Sequence, residues 1–435
     1  MSRCRGVKYS EAIQFLYGLR WFGVKFGLDN TFRLAALAGN PQARLRFIHV
    51  AGTNGKGSTC AMLESIYRAA GWRTGLFTSP HLISFRERIQ VNRQWIPEND
   101  VVRLVAELQP LLRQFPPGHH PTFFEVVTVM ALKFFAGQNC DLVIWETGLG
   151  GRLDATNIVT PLASVITNIA FDHQQWLGDT LEKIAFEKAG IIKPGIPVVT
   201  AVQEPGPLAV IERVAREKNA PLIQVRESQF DPQAFRLPLL GDHQRLNAAL
   251  ALATVETLKN ILPVSATALQ QGLAQVDWPG RLQVLELADG RKFLLDGAHN
   301  VAGALALRQA LRQHFAGQKI HSLILGILRD KDWQPVCETL APLAEKIFCV
   351  PVASERTADP GDLAGICRAA NPAAIVVAEK SLSSAWEKTA GDRLVVVTGS
   401  LYLVGEALER LGHRPAGEGE RELNEWRAAP ADVRQ

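Results

Sequence analysis

The stretch FIHVAGTNGKGSTCAMLESIYRAAG, residues 47–71, carries the strongest structural signal in the chain. A short run of strand formers gives way to a glycine-rich loop, Gly52 to Gly57, and then to a segment whose apolar residues recur at helical spacing. Strand, loop and helix in that order are how an α/β sheet presents a phosphate: glycines free backbone N–H groups to point inward, and the helix start adds the positive end of its dipole. Gly52, Thr53, Asn54, Gly55, Lys56, Gly57, Ser58 and Thr59 are therefore the expected nucleotide loop, with Lys56 as a point charge and Ser58 or Thr59 offering a hydroxyl to magnesium. The strict pattern GxxxxGK[ST] is not met, because Gly57 follows Lys56 where the hydroxyl residue should stand. A purely structural turn is the competing reading.

Within this stretch and beyond it, the runs FIHVAG (47–52), TGLFTS (74–79), DLVIWE (141–146), ASVITN (163–168) and PVVTA (197–201) alternate with helical patterns and read as buried parallel strands. After the turn signal Trp278-Pro279-Gly280 a second series begins: KFLLDG (292–297), SLILGI (322–327), EKIFCVPV (345–352), AAIVVA (373–378) and LVVVTG (394–399). The expectation is a P-loop α/β domain with a mostly parallel sheet over 1–284, a smaller Rossmann-like α/β domain over 285–413, and a flexible tail over 414–435, with the boundary within 280–291. The second series has no GxGxxG after a strand, so NAD is not indicated.

At 435 residues, 47% hydrophobic and 21% charged, the chain has ample material for two cores. A net charge of +4 suits anionic ligands without calling for nucleic acid. Six cysteines are scattered without a CxxC pair, so no zinc framework is expected, nothing calls for haem, and reduced thiols favour the cytoplasm. No secretory leader or apolar span of about 18 residues is visible, so no membrane partner is expected.

Four neighbouring strand ends deliver chemistry to one edge: the loop, Ser79, Glu146, and His173 after Asp172. Open α/β sheets bind ligands at the carboxyl ends of their strands. A strand-end glutamate alone is commonly a solvated charge, and a lone histidine a structural one; position argues for both here. Lys188 lies in DTLEKIAFEKAGIIKPG, a helix that Asp179 or Thr180 can cap and Gly190 can end. It reads as a surface lysine, or, if burial holds it neutral, as an amine able to take up carbon dioxide and become an oxygen ligand.

The order of motifs GTNGKGST (52–59), TSPHLISFRERI (78–89), FFEVVT (123–128), ETGLGGRLDATN (146–157), ITNIAFDH (166–173), LGDTLEKIAFEKAGIIKPG (177–195), GDHQRLNAALAL (241–252), WPGRLQ (278–283), DGAHN (296–300) and GSLYLVGE (399–406) resembles the bifunctional folylpolyglutamate synthase and dihydrofolate synthase family of the Mur ligase superfamily, from roughly residue 10 to 410. The resemblance implies a ligase with two magnesium sites, one on Ser79 and Glu146, with the Ser58 hydroxyl at hand, and one on Glu146, His173 and carbamylated Lys188. Lys56, Glu146, His173 and Lys188 would be the catalytic set. It also implies ATP contacts from Asn247, Arg281 and Asp296. His299 is a candidate for phosphate or glutamate, with a capping role as the alternative. For the folate it implies Thr122, Phe123, Phe124 and Glu125, with Leu153, Asp154, Ala155 and the segment Gly27, Leu28, Asp29 and Asn30 as further candidates. The competing reading of FFEVVTVMALKFF is an amphipathic helix with core aromatics. One departure is Asn92-Arg93 in the turn where the family usually has glycine; asparagine tolerates the left-handed conformation, so the same hairpin is expected.

The activity so implied is ATP-dependent addition of L-glutamate to a folate carboxylate through an acyl phosphate, on tetrahydrofolate and on dihydropteroate, by a monomer. The rivals are another Mur-type amino-acid ligase and, from a different class, a P-loop switch protein that needs no acceptor.

Overall fold

In the computed structural model, residues 8–22, 27–317, 320–412 and the positions 417, 420 and 423 are described. The first sheet contains β1 (Phe47–Ala51), β2 (Thr74–Phe77), β3 (Ile89–Val91), β4 (Gln94–Trp95), β5 (Leu142–Glu146), β6 (Ala163–Ile166), β7 (Val198–Thr200) and β8 (Leu222–Gln224), in the order β4-β3-β2-β5-β1-β6-β7-β8. Its six strands from β2 to β8 are parallel, and β3 and β4 form an antiparallel hairpin on the edge. The hairpin turn holds Asn92 at φ 49° and Arg93 at φ 67°, the left-handed pair that a two-residue turn needs.

Alternation along β1 decides what lies on each face. Phe47 packs with Phe77 and Trp145 in one cluster, and Ile48 and Val50 pack with Leu76 and Ile144 in another against the helix Lys56–Ala69. Trp145 is fully buried and stacks on Phe77 at 4.4 Å between centroids, worth roughly 0.5–1.5 kcal/mol beyond area burial. The register sets Val50 beside Glu146, Ala51 beside Ile166 and Phe77 beside Trp145, so the central strands end nearly level. The loops that leave these strand ends are thereby gathered at one edge.

The second sheet runs β13 (Ile375–Ala378), β12 (Ala344–Cys349), β11 (Ile320–Leu325), β14 (Leu394–Thr398), β10 (Lys292–Leu295), β9 (Gln283–Glu286), parallel except for β9. Because β9 pairs with β10, a boundary drawn at 284/285 falls inside a strand of the second sheet. The chain is thus two α/β domains, each with a mostly parallel sheet covered on both faces. The expected flexible tail lies outside the described residues except at Gly417, Glu420 and Leu423; Glu420 and Leu423 are buried, so the chain at those two positions is packed. Among the described residues no helix is long and apolar enough to cross a membrane, and the five described cysteines are free and buried.

Candidate active site

The carboxyl edges of both sheets open onto one cleft of about 410 Å³, within the usual range for a ligand pocket. On its floor the phosphate loop turns at Gly55 (φ 83°), and the helix begins at Lys56. A Cβ at Gly55 would come within 2.5 Å of Asn247 Oδ1, and one at Gly57 would meet the Trp278 indole at 2.9 Å, so neighbouring groups reach the loop only because these residues are glycine. Lys56 Nζ curls back and donates to the carbonyls of Gly52 and Thr53, each at 3.2 Å. Ser58 lines the cleft and accepts from Gln244 Nε2 at 3.2 Å, whereas Thr59 is fully buried behind it with no hydrogen-bond partner for its hydroxyl among the described residues. Of the two hydroxyls considered for magnesium, Ser58 is the one that faces the cleft.

Glu146, at the end of β5, is buried and accepts the Ser79 N–H at 2.9 Å. Burial raises its pKa, against the lowering charge of Lys56. Lys188 is not a surface lysine. The helix Leu181–Ala189, capped by Thr180, drives it inward until it is 4% exposed, with Nζ donating to Gly52 O at 2.7 Å. Burial, assisted by the charge of Lys56, pushes its pKa down to about 7, so the neutral amine is well populated at physiological pH. His173 sits at φ 51° past β6, and burial, with the charge of Lys331, holds its pKa down to about 3; its Nε2 faces Lys331 Nζ at 3.3 Å.

Asp172 binds the domains together. Lys331 Nζ donates to its Oδ1 at 2.7 Å, and His299 Nε2 lies 3.4 Å from its Oδ2. Burial works to raise this carboxyl, but the His299 hydrogen bond and the charge of Lys331 outweigh it and hold it well below the usual range. Nearby, Asn54 Nδ2 donates to Asn300 Oδ1 at 3.3 Å and Asn300 Nδ2 returns a bond to Asn54 Oδ1 at 3.1 Å. Asp296 accepts the N–H groups of Leu282 and Ala298, both at 2.9 Å, and lines the cleft with Asn247 and Arg281.

The opposite wall is aromatic. Thr122 caps the helix Phe123–Gly137 and forms a capping box with Glu125, whose Oε2 accepts the Thr122 N–H at 2.7 Å while Oε1 accepts from Thr31 at 3.2 Å. Phe123 and Phe124 are half-buried at the margin of the core and also line the cleft, so each serves both readings of this segment. Leu153, Asp154, Ala155 and Gly27 line the same wall; the Asp154 carboxylate accepts from the N–H groups of Leu149 (2.7 Å) and Thr156 (3.0 Å) and from the Thr156 hydroxyl. Leu28, Asp29, Asn30 and Thr59 do not reach the cleft; Leu28 precedes the helix Asp29–Leu37, and Asp29 is exposed.

Residue patterns did not single out Arg88, Lys331, Arg356 or Tyr402, all of which line the cleft. Arg88 was visible within the quoted RERI run, and Tyr402 within GSLYLVGE; Lys331, in GILRDKD, carried no local signal distinguishing it from a solvated lysine. Arg88 is 4% exposed, and burial lowers its pKa to about 10, leaving it charged at neutral pH.

Among the described residues no three His, Cys, Asp or Glu side chains gather to hold a metal by themselves. The hydroxyl and carboxylate of Ser79 and Glu146 beside a phosphate loop fit magnesium, which takes few protein ligands and completes its shell with phosphate oxygens and water. Glu146 and His173 fit a second magnesium only if Lys188 becomes an oxygen donor, since magnesium prefers oxygen ligands to an amine nitrogen.

Two family models match the chain: the Mur ligase middle domain over residues 50–204 and the Mur ligase glutamate ligase domain over 280–401. The dihydrofolate synthase/folylpolyglutamate synthase of Bacillus subtilis is 38% identical over 428 residues, covering 93% of this chain and 99% of the relative. Among solved structures, E. coli FolC in complex with DHPP and ADP superposes with a TM-score of 0.83 at 32% identity, covering 93% of this chain and 98% of that one. The folylpolyglutamate synthase of Mycobacterium tuberculosis complexed with ADP gives a TM-score of 0.85 at 30% identity, covering 94% and 100%.

Proposed function

The chain belongs to the folylpolyglutamate synthase/dihydrofolate synthase branch of the Mur ligases, and from that membership we propose how its cleft divides the labour of ligation. The protein is an ATP-dependent ligase that joins glutamate to folate substrates. A carboxylate is a poor electrophile, so one of its oxygens must first become a leaving group. The substrate carboxylate attacks the γ-phosphorus of ATP in line, ADP departs, and an acyl phosphate remains; the amine of glutamate then attacks the acyl carbon, losing a proton as phosphate leaves.

Each of the chain's own groups takes one part of this work. The loop N–H groups and Lys56, released from the Gly52 and Thr53 carbonyls, hold the phosphates. Asn247, Arg281 and Asp296 hold the rest of the nucleotide at the domain junction, with His299 above the phosphates. Phe123 and Phe124 stack the pterin, with Thr122, Glu125, Leu153, Asp154, Ala155 and Gly27 around it. Ser79 and Glu146, with Ser58 beside them, would hold one magnesium; Glu146, His173 and carbamylated Lys188 would hold another. Bound magnesium supplies charge neutralisation to phosphate and carboxylate oxygens. The bridge of Lys331 and His299 to Asp172 closes the second domain over the loop and excludes water that would hydrolyse the acyl phosphate.

The single observation that carries this reading is Lys188, buried and near neutral against the carbonyl of the loop's first glycine. We assign both family activities to the protein. The test is ADP release with ATP, magnesium and L-glutamate, run separately with dihydropteroate and tetrahydrofolate, with products weighed. One glutamyl unit gained on each acceptor supports the assignment. Gain on one narrows it, and gain on neither returns the chain to the other Mur-type ligases.

A further inference from the structure

The chain returns from the second domain to the first at its end. Leu423 is 1% exposed, joins the first domain's core and lines the cleft. Glu420, 2% exposed, accepts from Tyr9 Oη at 2.6 Å and from the Phe85 N–H at 2.9 Å, which fixes its backbone carbonyl against His81 Nε2 at 2.8 Å. On the other side of the imidazole, Arg88 Nε lies 2.9 Å from His81 Nδ1. These partners settle the tautomer. A carbonyl can only accept, so Nε2 carries the proton; an arginine Nε–H can only donate, so Nδ1 offers its lone pair. Glu420, His81 and Arg88 thus form a directional chain of hydrogen bonds, buried throughout, that includes a guanidinium on the cleft wall.

Arg88 stands between the two halves of the substrate path. Its guanidinium carbon is 5.6 Å from the centroid of the Phe123 ring, on the aromatic wall, and its charge is felt by Glu146 beside the phosphate loop. A planar fork with one edge turned by His81 is suited to a carboxylate, which it can hold through paired charge-assisted hydrogen bonds. We propose that Arg88 anchors the carboxylate of the acceptor that is to be activated, and that Glu420, through His81, is the positioning residue that aims it. This rests on the ligase reading of the cleft and adds to it a carboxylate anchor and a role for the end of the chain.

The test uses the full-length enzyme and the variants Arg88→Ala, Arg88→Lys, Glu420→Ala and the double variant, with KM measured for acceptor, ATP and glutamate. Binding of pteroate is compared with that of 6-hydroxymethylpterin, which has the ring but no carboxylate. Arg88→Ala should raise the acceptor KM on the order of 10- to 100-fold, with ATP and glutamate KM within about twofold. It should weaken pteroate binding without affecting hydroxymethylpterin. Arg88→Lys should recover part of the loss, since it restores charge without the fork. Glu420→Ala should raise the acceptor KM about tenfold, and the double variant should be no worse than Arg88→Ala alone, because the two act through one group. Tyr9→Phe, which removes one bond far from the cleft, guards against a Glu420 variant that fails to fold: a smaller rise in acceptor KM is expected. Additive losses, a glutamate KM that rises in place of the acceptor's, or a lower Tm with unchanged KM would overturn the proposal. Failure of the ligase reading looks different, since the wild-type protein would then glutamylate neither acceptor.

Discussion

The carboxyl edge of the first sheet and that of the second face each other across one cleft, yet they hold their chemistry in different states. On the first edge the groups are stripped of water and set on the backbone: Glu146 against the Ser79 N–H, Lys188 against the Gly52 carbonyl, His173 kept neutral by burial. On the second edge the groups reach across: Lys331 and His299 to Asp172, Asn300 to Asn54. A low dielectric tunes pKa values and strengthens every charge that develops during reaction. Cross-domain pairs instead exist only where the two edges meet, so they depend on how the domains are set against each other. On the proposed division of labour, the first domain makes the reactive environment, and the second completes and seals it.

The largest effect should come from the first edge. Lys188→Ala is expected to lower kcat on the order of 10²- to 10³-fold, with circular dichroism unchanged. Wild-type protein supplied with ¹³C-labelled carbon dioxide should show a carbamate carbon resonance that the variant lacks. The resonance should strengthen as pH rises through about 7 at fixed dissolved carbon dioxide, because only the neutral amine attacks and its midpoint lies there. A fully active Lys188→Ala enzyme would remove the contrast between the edges. Next in size, Lys331→Met should cost about 10- to 100-fold in kcat/KM, since it leaves Asp172 without its closest cation. If this loss equals that of Lys188→Ala, the second edge takes part in the chemistry as much as the first.

The contrast also governs what could be read from residues alone. The first edge was legible because each group lies within a few residues of a strand end, in a motif whose geometry is local: GTNGKGST after β1, Ser79 after β2, Glu146 closing β5, His173 after β6. All five strands expected in the second domain form, because short apolar runs bounded by turns need no distant information. Lys331 was not legible, since its value comes from an Asp172 that is 159 positions away in sequence. The burial of Lys188 was ambiguous for a related reason: helix LEKIAFEKA sets charged residues to either side of its apolar stripe, and only packing decides which lysine is inside. Leu28, Asp29 and Asn30 show the opposite case. They adjoin Gly27, which lines the cleft, but the helix they start turns their side chains away.

A smaller effect belongs to the reciprocal amide pair. Asn300→Ala removes both bonds to Asn54, the bond that Asn300 Nδ2 donates to Asp172 Oδ2 at 3.3 Å, and the N-cap of the helix Val301–His314. Hydrogen bonds of this kind contribute about 0.5–1.5 kcal/mol each, so the KM for ATP should rise by about tenfold or less, with kcat nearly unchanged. Glutamine at the same position, which lengthens the arm and loses the cap, should not rescue it. A collapse in kcat instead would move Asn300 from the closure of the cleft to its chemistry.

The mildest perturbation tests whether the desolvation of the first edge extends below it. His49, on β1 beneath the phosphate loop, is fully buried with Nε2 2.9 Å from Thr156 Oγ1, and burial holds its pKa down to about 3. The sign depends on which state takes the proton. Above about pH 6.5 neither the folded nor the unfolded chain protonates this ring, and its contribution to stability is complete. As pH falls from 6.5 toward 3 the unfolded chain binds a proton that the folded one refuses, so stability drops with a slope approaching one proton, about 1.4 kcal/mol per pH unit. His81 and His173, also in the first domain and also lowered, act in the same direction. Urea titrations between about pH 7 and 5 should therefore show the first domain weakening, and His49→Gln, which keeps a polar group near Thr156, should reduce the slope by close to one proton while leaving activity at about pH 7.5 within about twofold. A slope unchanged by the substitution would mean that water reaches the ring under the loop, and with it the low-dielectric setting that lowers Lys188 and raises Glu146 would no longer hold.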